Sequence, residues 1–367
     1  MRGTLLVVAI LCLHSFLPAA QEVSASGPKP GSGKEIYLSA CAACHGPDGK
    51  GASKAGVGFD TPLPDFSDCS FASREPNADW GTVVHEGGPA RAFSPIMPAF
   101  GGALTPEQIE QVLDHIRGFC ESRVWPRGEL NLPRPLVTEK AFPEDETVLT
   151  GAINGGETPA VTHKIVYEKR IGARNQVEVV VPFTFKENAA WRGGVGDLAL
   201  AFKRALFHSL NTGSIFSVTG EAVLPTGNKN RGFGEGVTIF ETFATYGQIL
   251  PSDSFVQFQG GFEFPTRGIV SKAAFWRTAV GRSFSQGGGF GRTWSPMVEL
   301  LASRPFETGA RINWDVVPQM QITLSTRQHI MANFGVRVPA TNTAGRPVQV
   351  MFYLLWDWFD GGWREGW

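Results

Sequence analysis

From about Thr147 to Trp367 the chain alternates apolar and polar residues in short runs that are separated by Gly, Pro, Asn and Asp. The alternation is clearest in INWDVVPQMQITL, where every even-numbered residue from Ile312 to Leu324 is apolar and most odd-numbered residues are polar. Because successive side chains of a strand point to opposite faces, this period of two predicts β-strands. About eleven runs fit the pattern. They begin near Val161, Gln176, Asp197, Ile215, Val237, Phe255, Ala273, Trp294, Ile312, Ile330 and Val348.

The alternation leaves open which face of the strands is buried. A soluble β-sandwich buries the apolar face, whereas a transmembrane β-barrel turns it towards lipid and lines its lumen with polar side chains. Several runs reach about ten residues, the length that crosses a bilayer, and tryptophans lie near the run ends, as in aromatic girdles. The polar faces are rich in Gln, Thr and Asn and poor in Lys. We therefore expect an all-β, transmembrane-type barrel of roughly ten to twelve strands, with twelve favoured because bacterial barrels have even strand numbers.

A helical period marks the earlier segment, residues 34–120. In LTPEQIEQVLDHIRGFC the apolar residues recur at i, i+3, i+4 and i+7, and Thr105 with Gln108 forms a capping box at the start. An earlier helix is predicted in GKEIYLSACAAC, with an inward face made of Ile36, Tyr37 and Ala40. We expect a small all-α domain in which these two helices pack together.

Composition changes at both ends of this helical domain. Residues 1–20 read as a secretory signal, because Arg2 precedes a short apolar run that small residues follow. Residues 21–33 predict a flexible Gly/Pro/Ser tether. Spread prolines in residues 121–146 predict an extended linker that lets the flanking domains reorient. Residues 147–367 form the predicted barrel domain.

The stretch CAACHGPDGKG carries the clearest chemistry. C-x-x-C-H is the attachment signature of c-type haem, in which both thiols bond the porphyrin vinyl groups and the histidine ligates iron. The spacing lets Cys41 and Cys44 reach two edges of one planar macrocycle while His45 turns its imidazole to the metal. A zinc site needs four ligands, and no second Cys/His pair lies at a useful spacing. One covalent haem c is therefore predicted.

Iron needs a second axial ligand, and the candidates are Met97, His85 and His115. The elements GKEIYLSACAACHG, MPAFGGALT and the closing helix make Gly33–Phe119, less than a quarter of the chain, resemble a class I c-type cytochrome. The resemblance implies that Met97 is the distal ligand and that the carbonyl of Pro47 accepts the other ring N–H of His45. His85 and His115 remain the alternative ligands.

The export signal bears on whether the remaining thiols form a disulfide. Once Cys41 and Cys44 hold haem, and Cys12 is removed with the signal, only Cys69 and Cys120 are left. An even pair in an oxidising compartment favours a disulfide, and the alternative is two separate buried thiols.

The second half also carries a looser resemblance. The stretches GVGDLALAFKRAL, EAVLPTG, VVPQMQITLS and WDWFDGG look like channel-type outer-membrane proteins associated with the degradation of aromatic compounds. Trp367 resembles the aromatic residue that typically closes the last strand of such barrels. This resemblance implies the outer membrane of a Gram-negative bacterium, with the haem domain in the periplasm.

Three functions fit these features. The favoured one is electron transfer by a periplasmic haem domain tethered to an outer-membrane barrel, with redox donor and acceptor proteins and membrane lipid as partners. The second is a transporter whose haem domain serves an associated redox enzyme, and the third is a soluble periplasmic cytochrome with a β-sandwich module. A formal net charge of -1 without Lys/Arg clusters argues against a nucleic-acid partner. Since no catalytic triad, phosphate loop or carboxylate dyad is evident, we expect an electron carrier and not an enzyme.

Overall fold

The computed structural model describes residues 31–58, 63–156, 159–188, 190–289 and 291–367. The predicted signal peptide and most of the predicted tether lie outside the described residues. Among those that are described, no helix combines the length and the apolar character needed to cross a membrane.

A small helical domain precedes the strands. Its helices are α1 (Gly33–Ile36), α2 (Ala42–His45), α3 (Lys54–Val57), α4 (Cys69–Ala72), α5 (Asn77–Glu86) and α6 (Pro106–Arg117). Helix α6 begins at the predicted capping box of Thr105 and Gln108, and its apolar face is buried. The predicted packing of the first and last helices is confirmed, because a β-carbon added to Gly33 would lie 2.0 Å from the Gln111 carbonyl oxygen. Glycine at this position allows the two backbones to touch.

The inward face predicted for the first helix is only partly correct. Ile36 and Tyr37 are buried, but Ala40 is exposed. The reason is a π-helical turn, Tyr37–Cys41, between α1 and α2, in which the N–H of Ala42 donates to the Tyr37 carbonyl. The wider turn moves the following residues round the helix, so a regular helical period fails there.

Fourteen strands follow. They are β1 (Glu146–Asn154), β2 (Ala160–Ile171), β3 (Asn175–Asn188), β4 (Ala190–Val195), β5 (Leu198–Ser209), β6 (Ser214–Leu224), β7 (Ile239–Leu250), β8 (Ser254–Pro265), β9 (Ala273–Arg282), β10 (Phe284–Ser285), β11 (Thr293–Pro305), β12 (Asn313–Thr323), β13 (Ile330–Pro339) and β14 (Gln349–Asp357). Twelve of them form one antiparallel ring that β1–β14 and β9–β11 pairing closes. Short β4 and β10 only extend it. The twelve-strand barrel is confirmed, and the β-sandwich alternative is wrong because the described strands form a single closed sheet.

Sequence reading missed one strand of the ring, β1. Gly151 interrupts its short alternating pattern, and a β-carbon at that position would lie 2.3 Å from the ring of Phe352 on β14. Closure of the ring therefore depends on a strand whose own sequence signal is weak. The ring has two ends, which we call the near end, where β1 begins at Glu146 and β14 ends at Asp357, and the far end.

The alternation along the strands separates the two surfaces of the barrel. On β12, Asp315, Val317, Gln319 and Gln321 are buried, while Pro318 and Met320 are exposed. The prediction that the even-numbered residues of this strand face outward is confirmed. Large apolar side chains are exposed on most strands, including Leu149, Ile165, Phe185, Phe202, Phe240, Phe262, Val280, Leu300 and Phe334. The barrel thus has an apolar exterior and a polar interior.

The lumen contains part of the chain itself. Residues 130–145, which we call the lumen segment, enter from the near end, reach the middle of the barrel and return to β1. Polar side chains of the wall bond its backbone: the carboxylate of Glu299 accepts from the N–H groups of Val137 and Thr138, at 3.0 and 2.6 Å. The side chains of Gln319, Gln259 and Gln176 accept from Leu136, Glu139 and Glu144 at 2.9, 3.1 and 2.7 Å. Those of Gln257, Arg277, Asn333 and Tyr353 donate to other carbonyls of the segment.

Buried charges also fix the lumen segment. Arg134 pairs with Glu146 and Glu168, and Lys140 pairs with Glu144 and Glu146; every one of these side chains is at most 8% exposed. Folding buries these charges as pairs. Removal of one partner would leave the other charge buried and unpaired, which is strongly destabilising. The expectation that residues 121–146 allow the domains to reorient is therefore wrong. The prolines do keep the segment extended, but its backbone is bound by the barrel wall.

The C-terminal residues 358–367 differ from expectation as well. Strand β14 ends at Asp357, so Trp367 does not close the last strand. Instead it follows a turn at the near end, where its indole N–H donates to the Trp363 carbonyl at 2.9 Å. We call residues 358–367 the C-terminal tail.

Candidate haem site

Cys41 and Cys44 are one helical turn apart, at the end of the π-helical turn and within α2. Both thiols are free and half-buried. Burial, with the neighbouring Cys44 thiol as a second cause, raises the pKa of Cys41. Because they are one helical turn apart and both free, the two sulfurs can bond to one group beside the helix.

His45 ends α2. The hydroxyl of Tyr37 donates to the carbonyl of the next residue, Gly46, at 2.7 Å and fixes this end of the helix. The ring of His45 lies 5.1 Å from that of Phe66, and burial lowers the pKa of the imidazole. Its Nδ1 is buried and, in the described part of the chain, has no hydrogen-bond partner. The bond to the Pro47 carbonyl that the resemblance implied is therefore not formed here.

Met97 lies at the end of a loop, Gly87–Met97, which we call the ligand loop. Its base is closed by two backbone bonds, from the N–H of Gly88 to the Met97 carbonyl (3.0 Å) and from the N–H of Phe93 to the Gly88 carbonyl (2.9 Å). A β-carbon at Gly88 would lie 2.2 Å from the Ser94 carbonyl oxygen, so the loop closes this tightly only around glycine. The Met97 side chain packs against the apolar cluster that also contacts Cys41.

Two groups that sequence reasoning overlooked hold this loop. Buried Arg91 pairs with Asp79 on α5 at 2.9 Å and so connects the loop to the domain core. The adjacent glycines, Gly87 and Gly88, were the available sequence signal, because a Gly-Gly pair before proline marks a tight turn. No sequence pattern pointed to the Arg91–Asp79 pair, because the two residues are twelve positions apart, well beyond the spacing of three or four at which charges pair along one helix.

The alternative ligands have other surroundings. The ring of His115 lies 5.2 Å from that of Tyr37 and 5.1 Å from that of Phe119, at the contact between α6 and the first helical turns. The Nδ1 of His85 is 2.8 Å from the Glu86 carboxylate, and its ring packs on Gly101. Both imidazoles are engaged by neighbours of their own.

The predicted disulfide between Cys69 and Cys120 is confirmed. It joins the start of α4 to the residues that follow α6. The cysteine chemistry of the domain is thus divided, with one bonded pair and the free pair of the C-x-x-C-H motif.

The helical domain is docked on the near end of the barrel. The guanidinium of Arg74 pairs with Asp145 and lies 3.9 Å from the ring centroid of Phe359 in the C-terminal tail. Gly128 packs directly on the Arg74 carbonyl, 2.0 Å from a β-carbon added there. The linker therefore contacts both the helical domain and the barrel.

These residues fit a haem group. Two free thiols, a half-buried imidazole whose buried Nδ1 has no partner among the described residues, and a thioether on a tight loop are the donor set of a c-type cytochrome. Apolar side chains border them, namely Phe66, Phe71, Trp80, Phe100 and Leu104. Cys41 and Cys44 would hold the group covalently, and His45 and Met97 would hold its iron.

Comparison with known families gives a match over the helical domain. Residues 28–116 match the family described as Cytochrome C oxidase, cbb3-type, subunit III. No curated protein matches the chain. A cytochrome c domain implies haem binding, an electron-carrying role and protein partners that donate or accept electrons.

Solved structures with similar strand arrangements include three membrane barrels. The KdgM porin is 8% identical with a TM-score of 0.40, covering 57% of this chain and 98% of that one. The NanC porin is 8% identical with a TM-score of 0.39, covering 57% and 97%. The β domain of the Bordetella autotransporter BrkA is 11% identical with a TM-score of 0.36, covering 58% and 97%. Because these scores are low, the barrel assignment rests on the strand pairing itself. The chain thus joins a segment that matches the cbb3-type cytochrome c family to a closed, twelve-stranded antiparallel β-barrel.

Proposed function

We propose that residues 34–120 carry one covalent haem c and transfer electrons at the periplasmic side of an outer-membrane barrel formed by residues 147–367. One observation carries the proposal: Cys41 and Met97 pack against the same apolar cluster, whose Phe66 also contacts the His45 ring. Cys41 and Cys44 would form the thioether bonds, and His45 and Met97 would ligate the iron. When bound, the haem supplies a one-electron couple whose potential a methionine ligand raises.

The exterior of the barrel supports the membrane location. Apolar side chains such as Phe202, Phe262 and Phe334 are 49%, 47% and 57% exposed, and hydrocarbon favours such a band over water. Tryptophans lie near both ends: Trp276 and Trp314 at the far end, and Trp356 and Trp363 at the near end. They match the girdles that flank the apolar band of membrane barrels.

Loop lengths support the orientation. Near-end turns such as 172–174 and 251–253 are short, whereas far-end loops such as 225–238 and 340–348 are longer. Outer-membrane barrels have short turns on the periplasmic side and long loops outside. The near end, with the helical domain docked on it, therefore faces the periplasm.

The lumen segment favours a membrane anchor over a transporter. It fills the near half of the lumen and is bonded by wall residues on several strands, among them Glu299, Gln319 and Gln259. A solute would have to displace these bonds, each of which leaves a buried donor or acceptor unpaired when broken. The barrel consequently acts as a membrane anchor that holds the haem domain beside its partners.

The same ligand set favours an electron carrier over an enzyme. With His45 and Met97 both holding the iron, neither a substrate nor oxygen would find an open coordination position. Redox proteins of the periplasm act as donor and acceptor.

Fractionation of the native cells with haem staining tests the proposal. We expect a haem-positive band in the outer-membrane fraction that is extracted only by detergent and migrates differently in gels before and after heating. Covalent haem should persist in denaturing gels and disappear in a Cys41→Ser, Cys44→Ser variant. Haem-positive full-length protein in the soluble periplasmic fraction would contradict the membrane anchor.

A further inference from the structure

The ligand loop receives little support on its outer side from the helical domain. Phe93 and Ile96 are 48% and 46% exposed, and the backbone at Ala92 takes a left-handed conformation with φ of 53°. Such a conformation disfavours a residue with a side chain. A loop with few buried contacts opens easily, so an external contact at its tip has a large influence on how long it stays closed.

The barrel supplies such a contact through Arg327, in the near-end turn between β12 and β13. Its Nη2 donates to the Ala92 carbonyl at 2.8 Å, and its guanidinium carbon lies 4.7 Å from the centre of the Phe93 ring. One planar side chain thus binds the strained residue by a charge-assisted hydrogen bond and covers the exposed ring by a cation–π contact. The two residues it binds are the tip of the loop that ends in Met97.

Arg327 is itself held by the C-terminal tail. Its backbone N–H donates to the Gly366 carbonyl at 3.0 Å, and its Nη1 contacts the Asp360 carbonyl at 3.2 Å and the Glu365 carboxylate at 3.1 Å. A β-carbon added to Gly366 would lie 2.5 Å from the Arg327 β-carbon, so the tail closes directly over the side chain. The arginine has little freedom to leave the Ala92 carbonyl, and the side chain is only 15% exposed.

We propose that Arg327 is a positioning residue for Met97, through which the barrel keeps the ligand loop closed on the haem iron. The inference rests on the proposed ligation by Met97 and extends it, because it makes the barrel part of the haem site. When the contact is removed, the loop opens more often and Met97 is more readily replaced by another ligand. The anchor therefore adjusts the redox centre as well as holding it at the membrane.

Exogenous imidazole measures this opening, since it binds ferric iron only when Met97 has left. Full-length protein in detergent is titrated with imidazole while the weak long-wavelength absorption of methionine-ligated ferric haem is followed. We expect Arg327→Ala to bind imidazole about tenfold more tightly. A tenfold change in affinity corresponds to the loss of one charge-assisted hydrogen bond of a strength near the lower end of the usual range. The reduction potential should fall in the same variant. Arg327→Lys keeps the positive charge and can still donate a hydrogen bond, so its imidazole affinity should lie between those of wild type and Arg327→Ala.

Matched controls separate this effect from general loosening. Arg174 lies in another near-end turn, and its Nε donates to the Val124 carbonyl at 3.0 Å, so Arg174→Ala also removes an arginine contact between barrel and linker. It should leave imidazole affinity unchanged. In a Met97→Ala background, where imidazole binding is followed by the main absorption band of the haem, Arg327→Ala should add no further increase, since both act on one event. Heat-modifiable migration verifies folding of each variant, and Arg327→Lys carries the test if Arg327→Ala does not fold.

Two results overturn the inference. One is wild-type imidazole affinity in both folded Arg327 variants, and the other is an equal increase in Arg174→Ala. Failure of the proposed ligation has a different signature: Met97→Ala would then leave the ferric spectrum unchanged. Loss of the signal in Met97→Ala with no effect of Arg327 would refute the positioning role alone.

Discussion

A few residues of the ligand loop fix the position of the Met97 side chain. Gly87 and Gly88 permit the close approach that ends in Met97, and Arg91 ties the loop to α5. A thioether ligand, the role proposed for Met97, is neutral and polarisable and favours ferrous iron, so it raises the potential. The side chain at position 97 should therefore control both the spectrum and the potential.

Met97→Ala tests this directly. We expect loss of the weak long-wavelength band of ferric haem and a lower reduction potential, because the methionine ligand that stabilises ferrous iron is gone. Absorption spectroscopy and a potentiometric titration measure the two effects. His85→Ala and His115→Ala serve as matched controls and should keep the band. An unchanged spectrum and potential in Met97→Ala, together with a changed spectrum in either histidine variant, would move the ligand to that histidine.

At the scale of secondary structure elements, the disulfide joins α4 to the end of α6. Its cysteines are 51 positions apart, and in the chain-entropy model a bridge of that span stabilises the fold by roughly 4 kcal/mol. The Cys69→Ser, Cys120→Ser variant should lower the free energy of unfolding of the haem domain by up to that amount. Denaturant titrations that follow haem absorption, with and without reductant, measure it. Equal midpoints for wild type and variant under oxidising conditions would refute a stabilising role.

The two faces of β12 differ in what they tolerate. Met320 is 39% exposed on the apolar exterior, so Met320→Arg should cost about 2–4 kcal/mol near the bilayer midplane. Asn313→Arg, at the far-end start of the strand, is the control and should cost far less. Heat-modifiable migration and urea unfolding in lipid vesicles measure the difference. Similar costs for the two variants would argue against a lipid-facing exterior.

The lumen segment changes the expectation for the inner face of that strand. A wet lumen would accept arginine at Gln319 or Gln321. Both side chains are instead buried: Gln319 bonds the lumen segment, and Oε1 of Gln321 lies 3.0 Å from the Tyr353 hydroxyl oxygen. Gln319→Arg and Gln321→Arg should therefore be destabilising as well.

At the scale of the whole molecule, the lumen segment is bonded to the barrel wall, and we expect it to block ion flow. Both ends of the segment lie at the near end, so residues 131–144 can be replaced by a short Gly/Ser bridge without separating the domains. We expect wild-type protein in planar bilayers to show no steady ion conductance and the replacement variant to show stepwise conductance, because the wall residues then face water. A barrel with Leu136→Ser, in which the segment remains in place, is the control. Conductance of wild-type protein equal to that of the replacement variant would contradict a closed lumen.

The sequence by itself determined the features that depend on local spacing. The C-x-x-C-H motif is read within one helical turn, the capping box within four residues, and the strands from a period of two. Ile109, Val112, Leu113 and Ile116 are buried as their helical period predicts. Each predicted strand is present, because alternation depends only on one face of the strand lying in apolar surroundings and the other in polar surroundings.

Only the tertiary structure decided how the parts are joined. The lumen segment has no periodicity, and its prolines indicate merely an extended chain. The backbone N–H groups at its centre are bonded by Gln319, Glu299 and Gln259, wall residues more than a hundred positions away, so no local pattern could place it inside the barrel. Arg327 reaches Ala92 across 235 positions of sequence for the same reason. Closure of the ring brings strands distant in sequence around one lumen, and the contacts made there belong to the fold as a whole.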